Sequence, residues 1–397
     1  MKSRSIWVLP VIIFSQFAGT SLWFASNAVL GDLKRQWDLG NAALSYMTSS
    51  VQLGFIFGTL IFAFFTISDR FSPRIVFVVC SLLGSLANLS IYFAAKDLIS
   101  LLALRFITGF FLAGIYPVGM KIAAGWFRKG LGRALGFLVG ALVAGTAFPH
   151  LLKSTGQSIP WEHVILSISG ISLAGGFLMF LLVPDGPYLV KGTRFNSKAF
   201  IVIFRSKELR CASFGYFGHM WELYTLWAFF PVLIGKYAAV TRQPLNISFW
   251  SFCAIAAGSL GCIGGGLISK KLGSPAVAFF QLALSGFCCL LSPLIFQAPA
   301  EFFLGFLILW GIVVVGDSPQ FSALTAQTAP RELVGSALTI VTSIGFLITI
   351  VSIQFTNYLT EYISLKFVFV FLFAGPIIGL VYLWPLFRSF SKRPLNL

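Results

Sequence analysis

A chain of 397 residues that is 57% hydrophobic and only 10% charged, with a mean hydropathy of +0.90, is not a soluble globule, whose charged fraction is about 25%. The net charge of +16 could serve nucleic acid, but the cations lie in short loops between apolar runs, where they act as topology signals, and nucleic-acid binding is set aside. The six cysteines, Cys80, Cys211, Cys253, Cys262, Cys288 and Cys289, lack metal-ligand spacing and read as small apolar residues rather than a disulfide framework.

Crossing about 30 Å of hydrocarbon takes roughly 20 helical residues. Twelve runs are expected to do so, near 6 to 29, 43 to 66, 74 to 94, 98 to 121, 133 to 152, 161 to 183, 210 to 234, 246 to 269, 275 to 296, 301 to 325, 333 to 357 and 366 to 387. They are expected as helices, because backbone polar groups in lipid must be satisfied internally and these runs lack the alternation of a barrel. Span 1 has features of a cleavable signal peptide, with Lys2 and Arg4 before an apolar run and Ser26-Asn27-Ala28 after it. Its length, Gln16 and Asn27 within it, and the even span number argue for a retained helix. Most Lys and Arg residues fall in loops that share one side with the N-terminus, which places both termini in the cytoplasm by the positive-inside rule. The expected location is the plasma membrane, the inner membrane of a bacterium.

The longest connection, Pro184 to Leu209, opens with Pro184-Asp185-Gly186-Pro187 and carries Lys191, Arg194, Lys198, Arg205 and Lys207, followed by Arg210. Turn residues followed by scattered basic charge make a linker, here too short for an independent domain. The expected organisation is a six-span bundle over 1–184, a cytoplasmic linker over 185–209 and a second six-span bundle over 210–397. Small residues at helical spacing, Gly54 and Gly58, Gly132, Gly136 and Gly140, and Gly261 and Gly265, mark faces where helices approach closely.

An internal echo supports two related halves. Gly114-Ile115-Tyr116-Pro117 in span 4 returns as Gly316-Asp317-Ser318-Pro319 in span 10, Gly132-Arg133-Ala134-Leu135 returns as Gly335-Ser336-Ala337-Leu338, and Arg331 echoes Arg128. These halves, the basic linker, the loop Asp69-Arg70-Phe71-Ser72-Pro73-Arg74 and Arg105 followed by Gly109 resemble the major facilitator superfamily of secondary transporters over almost the whole chain. In that family the loop between spans 2 and 3 reads roughly Gly-x-x-x-Asp-Arg-x-Gly-Arg. Here the acid and arginine stand, with Phe65 and Ser72 where glycines are usual; the second-half copy, Gly266 to Gly273, keeps both glycines but has Lys270 in place of the acid. Span 5 has Gly136, Gly140, Gly145 and Pro149 without the Gly-Pro pair of the antiporter signature, which weighs against an exporter. The resemblance implies an all-α membrane fold of twelve helices in two pseudo-symmetric bundles, a central site between them, and a cytoplasmic gate at Asp69, Arg70 and Arg74.

Ionisable side chains inside spans cost about 2.5 to 3.5 kcal/mol on insertion scales and usually mark a pathway. Arg105 in span 4 reads either as a group for an anionic substrate or a coupling carboxylate, or as a structural arginine satisfied by carbonyls and by Asn27 or Gln52. His219 and Glu222, spaced i and i+3 near the middle of span 7, share a helix face. They suit substrate binding or proton coupling, the alternative being a neutral Glu222 bonded to His219 or a tyrosine that pins the helix. Trp221 and Tyr224 beside them, like Trp23, are candidate cavity residues or packing. Asp317 reads as a specialised site or as a gate contact with a cytoplasmic basic residue, His150 as interfacial at the outer end of span 5, and Pro231 and Pro376 as kinks.

The expected function is secondary active transport of a small polar or anionic organic solute by alternating access, with protons as the drive because no GxxxxGK loop appears. No enzyme activity, cofactor or metal is expected. The expected partners are a small-molecule substrate, protons and membrane lipid, with the protein a monomer. Proton-driven efflux of amphiphilic compounds, favoured by 44 phenylalanines, and a non-transporting sensor or scaffold with a transporter fold remain the alternatives.

Overall fold

A computed structural model describes residues 6–127, 131–155, 159–189 and 195–391. Among them, eleven helices are long and apolar enough to cross a membrane, and a shorter apolar helix, Val8–Thr20, stands at expected span 1. Spans 2, 3, 5 and 6 are Ala43–Phe64, Pro73–Ala94, Leu131–Ser154 and Trp161–Leu182. Spans 7, 8, 9 and 11 are Lys207–Thr241, Ile247–Leu272, Ser274–Ile295 and Val334–Tyr362. Span 7 starts before its expected boundary because the Ser206 side chain accepts the Leu209 N–H at 3.5 Å, and it runs on to Thr241, where Arg242 turns left-handed.

The chain forms two compact units, 1–194 with 246–256, and 195–245 with 257–397. Span 8 is therefore divided, its N-terminal part clustering with the first unit. The linker begins as a turn held on its own unit: Trp126 Nε1 donates to Pro184 O at 2.8 Å, Tyr188 N to Gly125 O at 2.9 Å, and Ser72 Oγ to Asp185 Oδ1 at 2.7 Å. It then forms a helix of its own, Lys198–Arg205, which composition alone did not announce. Lys191, Arg194 and Arg128 lie outside the described residues.

The repeated motif has a structural counterpart. Span 4 is broken into Leu98–Leu112 and Tyr116–Trp126, and span 10 into Ala300–Gly316 and Ser318–Thr328, so both copies of the Gly-x-x-Pro sequence interrupt a helix at the same place. Pro117 and Pro319 lie in the first turn of the second segments, where a missing N–H costs nothing. Span 4 starts at a capping box, Asp97 Oδ1 accepting the Ser100 N–H at 2.8 Å; the Ser100 hydroxyl and backbone bonds hold the Asp97 carboxyl below its usual range.

The small-residue faces are close contacts. A Cβ on Gly54 or Gly58 would overlap the Phe106 or Phe110 carbonyl of span 4, one on Gly109 the Val51 carbonyl of span 2, and one on Gly261 the Ile312 carbonyl of span 10. Spans 2 and 4 in one unit and spans 8 and 10 in the other thus meet backbone to backbone. Pro376 follows a 3-10 stretch, Phe369–Phe373, that breaks span 12, whereas span 7 passes through Pro231 as one helix. His150 is buried, 1% exposed; span 5 continues past it to Ser154, and Lys153 pairs at 2.6 Å with Asp32 of the helix Leu30–Trp37.

Candidate functional site

Span 1 is where the first unit departs most from a plain bundle. Its helix stops at Thr20, residues 21–24 turn, and short helices follow at Ala25–Ala28 and Leu30–Trp37. A break inside lipid frees carbonyls that no water reaches. Thr20 and Ser21 bond back to Gln16 O at 2.8 Å and Ala18 O at 2.6 Å. Arg105, fully buried on span 4, supplies the rest: Nη1 donates to Leu22 O at 3.0 Å and Nη2 to Trp23 O. A guanidinium presents several donors in a fixed fork, which suits two adjacent carbonyls.

Beyond the break, Asn27 Nδ2 donates to Thr48 Oγ1 at 2.8 Å, while its buried Oδ1 has no hydrogen-bond partner among the described residues. Gln52 is buried one helical turn past Thr48 on the same face of span 2. Trp23 packs against Phe55, ring centroids 4.9 Å apart.

At the end of span 2, Asp69 forms an ion pair with Lys121 of span 4, whose ammonium also donates to Ser68 O at 2.7 Å. Arg70 is exposed, and Arg74 lies over the Phe180 ring at 5.4 Å. Lys121 escaped sequence reasoning, since nothing in its helical stretch marks it as a partner for a loop 52 positions away.

The second unit gathers its ionisable groups around span 7. Glu222, 1% exposed, directs Oε1 at three donors: Ser285 Oγ at 2.6 Å and Cys289 Sγ at 3.3 Å from span 9, and Trp310 Nε1 at 2.7 Å from span 10. Its Oε2 is buried and has no hydrogen-bond partner among the described residues. Glu222 therefore bonds to neither His219 nor a tyrosine through these contacts, and Cys289 is a polar partner rather than merely a small apolar residue.

His219 places Nδ1 2.8 Å from Asp317 Oδ1, both side chains fully buried. The expected partner of Asp317, a cytoplasmic basic residue, is replaced by this histidine: Asp317 is the single residue between the two helices of span 10, and the break turns it into the interior. Tyr216 and Phe321 flank the imidazole, each with its ring centroid 5.8 Å away, and Nε2 has no hydrogen-bond partner among the described residues. Trp221 and Tyr224 point elsewhere. Trp221 is half-buried against Phe355, with its carbonyl accepting Ser352 Oγ at 2.5 Å, and Tyr224 is buried between Trp227 and Phe346. Among the described residues no group of three or more His, Cys, Asp or Glu side chains could hold a metal ion.

A family model described as Major Facilitator Superfamily matches residues 12–353. Over 181 residues the chain is 30% identical to a niacin transporter of Acinetobacter baylyi, covering 42% of this chain and 38% of that one. It is 31% identical over 126 residues to a D-galactonate transporter of Escherichia coli, covering 31% and 29%. The chain thus spans under two fifths of these curated relatives. Two structures of a bacterial homologue of the human lysosomal transporter Spinster, inward-facing and either unoccupied or occupied, superpose with TM-scores of 0.70 and 0.69 over 99% of this chain and 98% of theirs. At 15% and 16% identity they share its fold.

Proposed function

Because the chain belongs to the Major Facilitator Superfamily, we propose that it is a secondary active transporter that moves a small organic acid by alternating access and is driven by protons through Glu222. The observation that carries the proton is the lopsided environment of that carboxyl. Oε1 is held by three donors and Oε2 by none, so a proton can join or leave Oε2 without displacing any of the three bonds. A carboxyl arranged this way fits both protonation states in one hydrogen-bond frame, which a coupling group must do.

His219, one turn earlier on the same helix and with its Nδ1 2.8 Å from Asp317 Oδ1 of span 10, supplies a second place where a proton can reside. Asn27 and Gln52 face the interior of the first unit and are the substrate-side polar groups of this reading. Arg105 contributes charge for an anion while spending two donors on span 1. Asp69, with Lys121, and Arg70 and Arg74 form the gate at the loop between spans 2 and 3. Niacin and D-galactonate, the cargoes in the relatives' names, are both small carboxylic acids, which supports that class over sugars or cations.

The test uses purified protein in proteoliposomes loaded with a pH-sensitive dye and challenged with small carboxylic acids, sugars, amino acids and cationic dyes. Organic acids are expected to drive proton movement. In Glu222→Gln that movement should disappear while substrate counterflow survives. Proton movement unchanged in the variant would sink the assignment.

A further inference from the structure

The linker helix Lys198–Arg205 buries Ala199 and Ile203, one turn apart, against spans 7 and 11, and is tied down by the Asn196 N–H bond to Ser336 Oγ at 2.9 Å. Its other side is unusual for a polar connection. Phe200, Ile201 and Phe204 are 51%, 51% and 38% exposed, although nothing forces apolar side chains into a surface loop. The two phenylalanine rings lie 5.2 Å apart; Phe204 continues to Phe214 of span 7 at 6.2 Å, and Phe214 stacks on Tyr382 of span 12 at 4.3 Å. The apolar strip thus runs without interruption from the linker helix onto the outer surface of transmembrane helices, which is surface that meets acyl chains.

Charge borders the same strip. Lys198, Arg205 and Lys207 are exposed, and none pairs with an acid among the described residues; Arg210 caps the helix by donating to Phe204 O at 2.8 Å, and the exposed acid Glu208 follows Lys207 in the chain. Aromatic and aliphatic side chains on one face with basic side chains at its border describe a helix lying in the membrane interface, apolar face down and cations reaching to headgroups.

We propose that the linker helix Lys198–Arg205 is a binding site for anionic phospholipid, with Phe200, Ile201 and Phe204 among the acyl chains and Lys198, Arg205 and Lys207 on the headgroup phosphate. The apolar face distinguishes this ligand from free phosphate, which has nothing to place there. Anionic lipid in the leaflet on the linker's side would then fix the position of the segment that joins the two six-span halves of the sequence.

The full chain is to be reconstituted in nanodiscs of phosphatidylcholine with a minor share of phosphatidylglycerol, and the lipids it retains after mild delipidation counted by native mass spectrometry. The native chain should retain phosphatidylglycerol in preference. Lys198→Gln, Arg205→Gln and Lys207→Gln together should abolish the preference, each change lowering it about fivefold, since a cation near an anionic surface contributes about 1 kcal/mol. Each single variant carries that fivefold expectation if the triple variant does not fold. Lys270→Gln with Lys271→Gln, two exposed cations in the last turn of span 8, should leave the preference intact. No preference in the native chain, an equal loss in the Lys270 and Lys271 variant, or displacement of the lipid by inorganic phosphate alone would each overturn the proposal.

Discussion

Thr66 adopts φ 52° and ψ 39°, the left-handed region, between the end of span 2 and the short helix that carries Asp69. That backbone costs an L-residue roughly 1–2 kcal/mol, and a β-branched side chain is among the least suited to it. Thr66→Gly should therefore stabilise the protein by about 1 kcal/mol, the removed clash being partly offset by the greater freedom of glycine in the unfolded chain. A melting temperature in detergent below that of the parent would contradict it. Position also decides what the sequence could reveal at this scale. Glu222 and Asp317 were legible as candidates because a carboxyl inside a long apolar run is costly to insert and calls for a partner or a role. Their partners were not, since Ser285, Cys289 and Trp310 resemble ordinary span residues and acquire meaning only when spans 9 and 10 pack against span 7.

Helices show the same division. Hydropathy sufficed to locate the spans, because length and apolarity are local properties of the chain. It did not reveal the break in span 1, for Ser21-Leu22-Trp23-Phe24 contains neither proline nor glycine. The breaks in spans 4 and 10 have a proline at hand; this one is held from elsewhere, by the Arg105 fork on Leu22 O and Trp23 O. Arg105→Gln should cost about 3 kcal/mol, because it leaves at least one buried carbonyl without a donor, and Arg105→Lys should cost less, since an ammonium can still reach one of them. Hydrogen exchange should rise over residues 21–28 in both variants, in that order. An arginine that acted on substrate alone would give transport defects with the melting temperature and exchange of the parent, and that result would remove the clamp from the account.

At the scale of the whole molecule, the two halves agree in backbone and differ in charge. The broken helices at Gly114 and Gly316 and the glycine seams of spans 2 with 4 and 8 with 10 recur in both units. The interior of the first holds Arg105, bonded to two carbonyls, while the second holds Glu222 and the His219 and Asp317 pair. Shape is thus the repeated property and charge the specialised one, which is why the repeat was visible in small residues and prolines but silent about the ionisable groups. If the seams are equivalent, they should fail equivalently. A valine at Gly109 would drive its Cβ into the Val51 carbonyl, and one at Gly261 into the Ile312 carbonyl; backbone cannot rotate away as a side chain can, so the helices themselves must separate. Each substitution should cost about 3 kcal/mol, the upper part of the range for overpacking. Gly305→Ala provides the comparison, because nothing lies within 4 Å of its added Cβ, and it should be neutral or stabilising by up to about 1 kcal/mol through helix propensity alone. Melting temperatures and the yield of monodisperse protein separate the cases: a large loss at Gly109 with none at Gly261 would mean that the second seam yields where the first does not, and that the symmetry of the two units stops at their outline.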